Sequence, residues 1–558
     1  MALSRWHTLV AALWAGITCG FLYTYGTFGT ALKDKFDLGT QSSTISTAQV
    51  AIGLITFTSG LLTDRIGVGP TLLVGAAVNA GSWLVFGAIA NGFFTVPAPV
   101  VWFSLLACCA TWGGACVTAA VFTVLAKNFV GQSAAPIGIA KAWVGVAAGV
   151  ATTVYVGFFP TSDESPERLG YIWFLSAACF LGVALAAPML KLLAEPASGD
   201  DLCIPNQWRY HLLTANTLVL IATTALASLL HDSMNSTERT VLSSAILVIV
   251  ALPGLLLLPG GGRRRGDGAG GALLGAEAQV VLAAGRPSGG AVGGAGAVSR
   301  SPLEAASRPP SPWASGPGKM LMRADSWLLW LVIFSLQSGG ILLTTNMGNI
   351  TQSRGGGNTD AAEATAMFSC AQSLGRLFSG RLSDIAVRRR IPRPFCFVAL
   401  TAIMCAALAM LCLPGRGALF AGTIVAGFAF GSMYPIMIVT IGELFGTERI
   451  ASNYMVFDGS PGAISSIAVG KYFAVAVYEA NVPAGSDKCF GDGCYRMTFV
   501  AVAGLQLIAG VCAVALAVRS RIVYTASIFD PGPTNGALPS PADGASAPPL
   551  GAGKAENA

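Results

Sequence analysis

The chain has 558 residues, of which 53% are hydrophobic and only 11% are charged, and its mean hydropathy is +0.65. Soluble domains carry about 25% charged residues, so this composition excludes a soluble globular protein. It predicts an all-α protein that crosses a membrane many times. The net charge of +6 comes from Lys and Arg that cluster in loops, where they orient membrane helices and indicate no nucleic-acid partner.

Long apolar segments follow one another along the whole chain. A helix needs about 20 residues to cross the hydrocarbon core, and we predict fourteen helices of that length. In chain order, the predicted spans are 8–30, 45–63, 70–91, 97–126, 134–158, 170–192, 211–231, 240–258, 326–348, 362–384, 394–413, 417–442, 454–478 and 497–518. Their grouping predicts two six-helix bundles with an extra helix pair between them. A re-entrant pair at 211–231 and 240–258 is the alternative.

The predicted helices divide the chain into five parts. A segment rich in Gly, Ala and Pro separates the bundles, and such low-complexity composition predicts a disordered linker. The tail has a similar composition. The parts are an N-terminal bundle at 1–195, the extra pair at 196–258, a cytosolic linker at 259–325, a C-terminal bundle at 326–524 and a disordered cytosolic tail at 525–558.

The distribution of Lys and Arg predicts the orientation in the membrane. More of them lie in loops on the side of the two termini than in the other loops, which places both termini in the cytosol. The sequons at Asn235 and Asn349 fall in loops predicted outside. Cys489 and Cys494 fall outside as well, where a disulfide is plausible and two free thiols are the alternative. The choice between the plasma membrane and a vacuolar or other internal membrane stays open.

A short motif occurs almost twice. In each copy an Asp follows a Gly by four residues at the end of an apolar segment, with basic residues after it. Each Asp can pair with a nearby Arg and with the positive N-terminal end of a helix from the other half. A solvated turn is the alternative for each copy. We predict that the motif residues form a gate, and they are Gly60, Asp64 and Arg65 in the first copy and Gly380, Asp384 and Arg388 in the second. The duplication is typical of a major facilitator superfamily transporter.

Polar residues within the predicted helices are candidates for a substrate site. Lys141 lies inside the fifth predicted helix, where a buried ammonium usually faces a cavity or the bundle interior. Snorkelling to the interface is the alternative for Lys141 and for Lys471. Tyr23, Tyr25, Asn346 and Tyr434 lie on helices expected to line the cavity; packing is the alternative for the aromatic side chains.

Other kinds of site leave no pattern in the sequence. We find almost no acidic residue at the middle of the predicted helices and no obvious buried Asp or Glu, so no proton relay is visible. The chain has only three His and no Cys-x-x-Cys pattern, which disfavours a metal site. It has no nucleophile–base pair, P-loop or dinucleotide motif, and we therefore expect neither an enzyme nor a cofactor.

The chain resembles the nodulin-like family of the major facilitator superfamily, which is related to fungal monocarboxylate-transporter-like proteins. The extra helix pair and the linker also fit that family. The resemblance implies a transporter fold but no particular cargo. The matching motifs are Arg5-Trp6, Gly20-Phe21-Leu22-Tyr23-Thr24-Tyr25, Gly138-Ile139-Ala140-Lys141, Thr345-Asn346-Met347-Gly348-Asn349-Ile350, Gly375-Arg376-Leu377, Gly442-Glu443-Leu444-Phe445-Gly446 and Cys489-Phe490-Gly491-Asp492-Gly493-Cys494-Tyr495.

These observations favour a secondary transporter that works by alternating access and moves a small metabolite. Lys141 favours an organic anion, such as a monocarboxylate. The alternatives are a transporter of iron or a metal chelate, and a non-transporting membrane sensor or scaffold. We expect a monomer whose partners are the lipid bilayer and a small-molecule substrate, and a co-transported proton stays open.

Overall fold

The computed structural model describes residues 4–38, 42–129, 134–159, 169–193, 207–230, 233–257, 315–356, 358–483 and 489–526. All regular structure within these residues is helical. Most of the predicted linker and the tail beyond 526 lie outside them. The predicted linker extends too far, because Met320 is fully buried and regular helix resumes at Pro317.

The described residues up to 257 form ten α-helices. They are α1 (Arg5–Gly20), α2 (Tyr25–Lys35), α3 (Ser42–Ala51), α4 (Phe57–Ile66), α5 (Val68–Ala90), α6 (Pro99–Asn128), α7 (Ala134–Phe158), α8 (Tyr171–Ala186), α9 (Gln207–Leu229) and α10 (Ser236–Ala251). Short 3-10 helices extend α1, α3 and α10, at Phe21–Thr24, Ile52–Ile55 and Leu252–Leu257.

The described residues from 315 onward form eight further α-helices. They are α11 (Pro317–Leu321), α12 (Ala324–Ser353), α13 (Asn358–Arg388), α14 (Pro394–Leu411), α15 (Arg416–Phe445), α16 (Ile450–Ser465), α17 (Ala474–Ala480) and α18 (Gly493–Ala526). A π-helix at Ser466–Phe473 joins α16 to α17. Each of the fourteen predicted spans coincides with one of these helices or with a broken helix.

Ten helices of the described chain are long and apolar enough to cross a membrane, or eleven if the bent pair α3 and α4 forms one span. The predicted number of spans, fourteen, exceeds ten for four reasons. The first segment breaks after α1, and α8 has only 16 residues. Helix α13 has 31 residues, but charged side chains such as Arg376 and Asp384 lower its hydropathy. A bend of 47° separates α3 from α4.

Small residues let neighbouring helices approach closely. A methyl group added at Gly75 would lie 2.8 Å from the carbonyl oxygen of Gly113, where α5 crosses α6. At Gly431 it would overlap the backbone of Gln372, where α15 crosses α13. Apolar helices in lipid gain stability from such close packing, and these contacts hold each half of the protein together.

The two halves meet mainly along two pairs of helices. Helix α7 packs along α13, and α4 packs along α16. The extra pair α9 and α10 packs on α7, and α9 also contacts α13. Trp143 donates a hydrogen bond of 2.9 Å to Thr217, and Ser243 donates one of 2.8 Å to the carbonyl of Thr153. The extra pair therefore lies beside the junction of the halves rather than inside either half.

Candidate functional site

An ion pair crosses the junction between the halves. Lys141 on α7 lies with its Nζ 3.3 Å from Oδ1 of Asp458 on α16. The Lys141 side chain is 5% exposed and the Asp458 side chain is 20% exposed. Charges are costly within a membrane unless they are paired or face an aqueous cavity. The pair therefore stabilises both charges, and the partial exposure of Asp458 leaves it accessible to a ligand or to water.

Aromatic rings surround the Lys141 ammonium. Its Nζ lies 4.5 Å from the centre of the Phe122 ring, 5.1 Å from that of Tyr434 and 5.3 Å from that of Tyr454. The hydroxyl of Tyr454 donates a hydrogen bond of 2.6 Å to Oδ1 of Asp458. Cations are attracted to aromatic faces, most strongly where water is excluded. The rings come from α6, α15 and α16, so both halves contribute to this cage.

Arg376 supplies a second cation beside the same cage. Its guanidinium lies 4.7 Å from the centre of the Tyr434 ring. Nη1 donates to the carbonyl of Lys141 at 3.2 Å, and Nη2 donates to the Gln372 side chain at 3.0 Å. Nε is buried with no hydrogen-bond partner, and among the described residues no carboxylate forms an ion pair with Arg376. We call Phe122, Lys141, Arg376, Tyr434, Tyr454 and Asp458 the central cluster.

The first Asp motif binds a helix of the second half. Oδ2 of Asp64 accepts hydrogen bonds from the backbone N–H of Ser452 at 3.1 Å and from its hydroxyl at 2.5 Å. Ser452 is the third residue of α16, where backbone N–H groups lack partners within the helix. Gly60 packs directly on the backbone of Ala451. We call this side of the molecule the motif side.

The second Asp motif repeats this geometry in the reverse direction. Oδ2 of Asp384 accepts a hydrogen bond of 3.1 Å from the backbone N–H of Ala135, the second residue of α7. Gly380 packs on the backbone of Ala134. Each Asp thus caps a helix of the opposite half. The helix dipole favours a carboxylate at this position.

A different arginine from the one expected supports Asp384. Arg393 bonds Asp384 at 2.7 Å and Glu443 at 2.8 Å, and Tyr524 donates to Glu443 at 2.7 Å. Arg388, which the sequence suggested, is exposed on the last turn of α13. The reason is that α14 starts only after Arg393, so the turn brings this more distant arginine back to Asp384. Arg65 is also exposed.

Two family models match the chain. The Nodulin-like model matches residues 5–259, and the model described as NFD4, C-terminal domain, matches residues 314–526. The chain belongs to the nodulin-like family. The protein NUCLEAR FUSION DEFECTIVE 4 of Arabidopsis thaliana is 27% identical over 218 residues, which is 37% of this chain and 36% of that relative. The match therefore spans about a third of the relative's length.

Two solved structures are similar to this nodulin-like protein. The proton:xylose symporter XylE of the major facilitator superfamily aligns with a TM-score of 0.54 at 12% identity, over 91% of this chain and 94% of XylE. The fucose:proton symporter FucP of E. coli aligns with a TM-score of 0.46 at 13% identity, over 93% of this chain and 98% of FucP. The likeness to XylE shows the major facilitator fold.

The carboxylate of the central cluster contradicts one expectation for the nodulin-like protein. We expected almost no acid at the middle of the helices and no obvious buried Asp or Glu, and this overlooked Asp458. Asp458 follows the start of α16 by eight residues, or about 12 Å at 1.5 Å per residue. Asp458 is the one acidic residue within the predicted span 454–478, so the sequence already indicated a charge inside this helix. Arg376 within the predicted span 362–384 gave the same kind of signal.

Of the other proposed substrate residues, Tyr434 lies beside the Lys141 ammonium and Lys471 lies far from it. Lys471 is exposed and donates a hydrogen bond of 3.3 Å to Thr47 of the first half. It lies 13 residues beyond Asp458, or about 20 Å along the helix. Of the residues predicted with Lys141, Tyr434 reaches its ammonium. Tyr25 packs edge-on against Phe28 at 5.5 Å.

Asn346 supports an irregular helix instead of the central cluster. Its Nδ2 donates to the carbonyl of Gly470 at 3.0 Å, and Gly470 lies in the π-helix between α16 and α17. Such π-helical turns leave backbone carbonyls without their usual partners and are frequent at functional sites. The side chain of Tyr23 lies outside the described part of the chain.

The side opposite the motif side carries the predicted cysteine loop. Cys489 and Cys494 form a disulfide. The loop is attached to α12, since Gly491 donates a hydrogen bond of 2.7 Å to the carbonyl of Ser353. The sequon at Asn349 was placed in a loop, and this was wrong because α12 continues to Ser353. Asn235 caps the start of α10 and accepts a hydrogen bond from the Glu238 backbone at 2.9 Å.

Proposed function

We propose that this protein is a secondary transporter that carries a small organic anion, such as a monocarboxylate, by alternating access. The observation that supports the anion is the charge of the central cluster. Lys141 and Arg376 are two buried cations, and among the described residues Asp458, which pairs with Lys141, is the one carboxylate that forms an ion pair with either of them. A site with one excess positive charge and an unpartnered Arg376 N–H favours a monoanion, since a buried charge is costly until it is compensated.

The position of the cluster supports transport rather than permanent binding. Lys141 and Phe122 lie on the first half, whereas Arg376, Tyr434 and Asp458 lie on the second. A ligand held between them contacts both halves, so its binding favours the arrangement in which the halves meet around it. Inverted or repeated halves that rock about a site near the bilayer midplane are the basis of alternating access.

The two Asp motifs act in this proposal as latches on the motif side. Both carboxylates bind helix starts of the opposite half, so the latches hold only while this side is closed. The excess of Lys and Arg supports a cytosolic position for the motif side. In this proposal both bundles and the extra pair span the bilayer. Fourteen crossings are an even number, so both termini would lie in the cytosol.

Uptake into proteoliposomes tests this function. Purified protein is reconstituted, and the uptake of radiolabelled lactate, pyruvate and glycerate is measured against protein-free vesicles. We expect saturable uptake of at least one of these anions. Arg376→Gln and Lys141→Met remove one cation each and should reduce uptake at low substrate by about 10- to 100-fold, because a hydrogen bond to a charged group contributes about 1.5–3 kcal/mol.

A matched control separates the cluster from general loss of positive charge. Lys319 is an exposed cation on α11, and Lys319→Met should leave uptake unchanged. Absence of saturable uptake of all three anions by the parent protein would contradict the proposed substrate class. Equal uptake by the parent and Lys141→Met would remove the central cluster from the mechanism.

A further inference from the structure

We propose that Asp458 is a proton-binding site and that a substrate anion binds by replacing its carboxylate at Lys141, so that one proton enters with each anion. This inference rests on the proposed function and adds the coupling ion to it. It is carried by the geometry around the Lys141 ammonium.

The ammonium of Lys141 has room for one carboxylate. Three of its sides face the rings of Phe122, Tyr434 and Tyr454, all within 5.3 Å of Nζ. The oxygen that pairs with it is Oδ1 of Asp458. An incoming carboxylate that reaches Lys141 must therefore take the position of Asp458, while the free Nε–H of Arg376 offers it a second hydrogen bond.

The displaced carboxylate then lacks a cation. Among the described residues, the hydroxyl of Tyr454, 2.6 Å away, is the hydrogen-bond partner that Asp458 keeps. A carboxylate in the membrane interior is neutralised when it loses its counter-charge, because an unpaired charge there is costly. The partial exposure of Asp458, 20% of its side chain, gives a proton access to it.

The charge of the cluster is conserved by this exchange. Before binding, the two cations Lys141 and Arg376 face one carboxylate. After binding, they face the carboxylate of the substrate, and Asp458 is neutral. Binding of the anion alone would leave Asp458 ionised beside the bound carboxylate and out of contact with the Lys141 ammonium, and like charges at close range oppose each other. The combined binding of anion and proton avoids this repulsion.

Other ionisable groups surround the pair without replacing its parts. Arg376 on α13, Tyr434 on α15, Tyr454 on α16 itself and Cys19 on α1 interact electrostatically with Lys141, Asp458 or Tyr454. Asp64, on the neighbouring α4, is occupied by Ser452. Among the described groups beside Lys141, Asp458 is the carboxylate in hydrogen-bond contact with its ammonium.

Proton uptake by purified protein tests the exchange directly. Sodium lactate, pyruvate or glycerate is added to the protein in unbuffered detergent solution, and the change in pH and the binding isotherm are recorded. We expect one proton to be taken up for each anion bound. The apparent Kd should rise about tenfold for each unit of pH over which one proton is taken up with each anion.

Two carboxylate variants refine the test. Asp458→Asn removes the competing carboxylate, so the anion should bind more tightly and without pH dependence or proton uptake. Asp325→Asn changes another buried carboxylate, which pairs with Arg519 away from the cluster, and should retain the pH dependence of the parent. If Asp458→Asn does not fold, the parent measurement alone decides.

The outcomes separate the two proposals. Binding of an anion by the parent protein without proton uptake, and with the same Kd from pH 6 to pH 8, would overturn the proton site and leave the anion transporter intact. Anion binding that still depends on pH in Asp458→Asn would also overturn the proton site. Failure of all three salts to bind the parent protein would overturn the proposed function and this inference together.

Discussion

Replacing one partner of the ion pair in the central cluster should destabilise the protein far more than replacing both partners. Loss of one partner of a buried pair costs about 3–5 kcal/mol, because the other charge stays buried without compensation. The 3.3 Å pair has one well-buried side chain and one that is 20% exposed. We therefore expect Lys141→Met and Asp458→Asn each to lower the free energy of unfolding by about 2–3 kcal/mol, slightly below that range.

The double variant isolates the pair. With both charges replaced, no charge is left uncompensated at this position, and the free energy of unfolding should return to within about 1 kcal/mol of the parent. The coupling energy from the four proteins is then about 3 kcal/mol or more, which is large even for residues in contact. Unfolding is followed by circular dichroism during titration of the detergent-solubilised protein with sodium dodecyl sulfate.

Lys319→Met provides the control for loss of a cation, since Lys319 is exposed. Its effect should be below about 0.5 kcal/mol. Additive losses in the double variant would refute the reasoning, because they would show that Lys141 and Asp458 contribute independently. Single variants as stable as the parent would refute it as well.

The remaining predictions concern the latches and the cysteine loop. Gly380→Leu places a side chain against the helix start that it now contacts, so the motif side should open more often and a cysteine introduced at Leu61 should react faster with a maleimide. Arg393→Ala leaves two carboxylates without their shared cation and should lower the free energy of unfolding by about 3 kcal/mol, measured by the same titration. The paired change Cys489→Ser with Cys494→Ser removes a bond that closes a loop of separation 5 and should cost about 2 kcal/mol; no change on mild reduction of the parent would contradict this.

The helical architecture was predictable because the hydrophobic pattern determines it. Long apolar segments have few alternatives in a membrane, and each predicted span contains a helix. The number of full crossings was less predictable. Charges on the interior face of α13 lower its hydropathy although the helix is long, and the bend between α3 and α4 depends on packing that composition does not reveal.

The candidate site was predictable only in part. Lys141 stood out because a lone ammonium in an apolar segment is unusual. Its partner Asp458 was within reach of the same argument, since it is an acid in a predicted span. Tyr434 was also a predicted site residue, but its meeting with Lys141 and with Phe122 was not predictable, because these residues come from helices that are distant in sequence and meet only through the packing of the halves. Local spacing also favoured Arg388 over Arg393, whose contact requires the turn into α14.

Distances across the two sides of the molecule test the central claim most directly. Spin labels at Ile66 and Glu448 report the motif side, and labels at Phe94 and Phe490 report the opposite side; all four side chains are exposed. The two distances are measured by pulsed electron paramagnetic resonance before and after addition of lactate, pyruvate or glycerate. The distance on the motif side should increase while the distance on the opposite side decreases, as the halves rock about the Lys141–Asp458 junction. Distances that stay constant, or that change together in the same direction, would contradict alternating access in this protein.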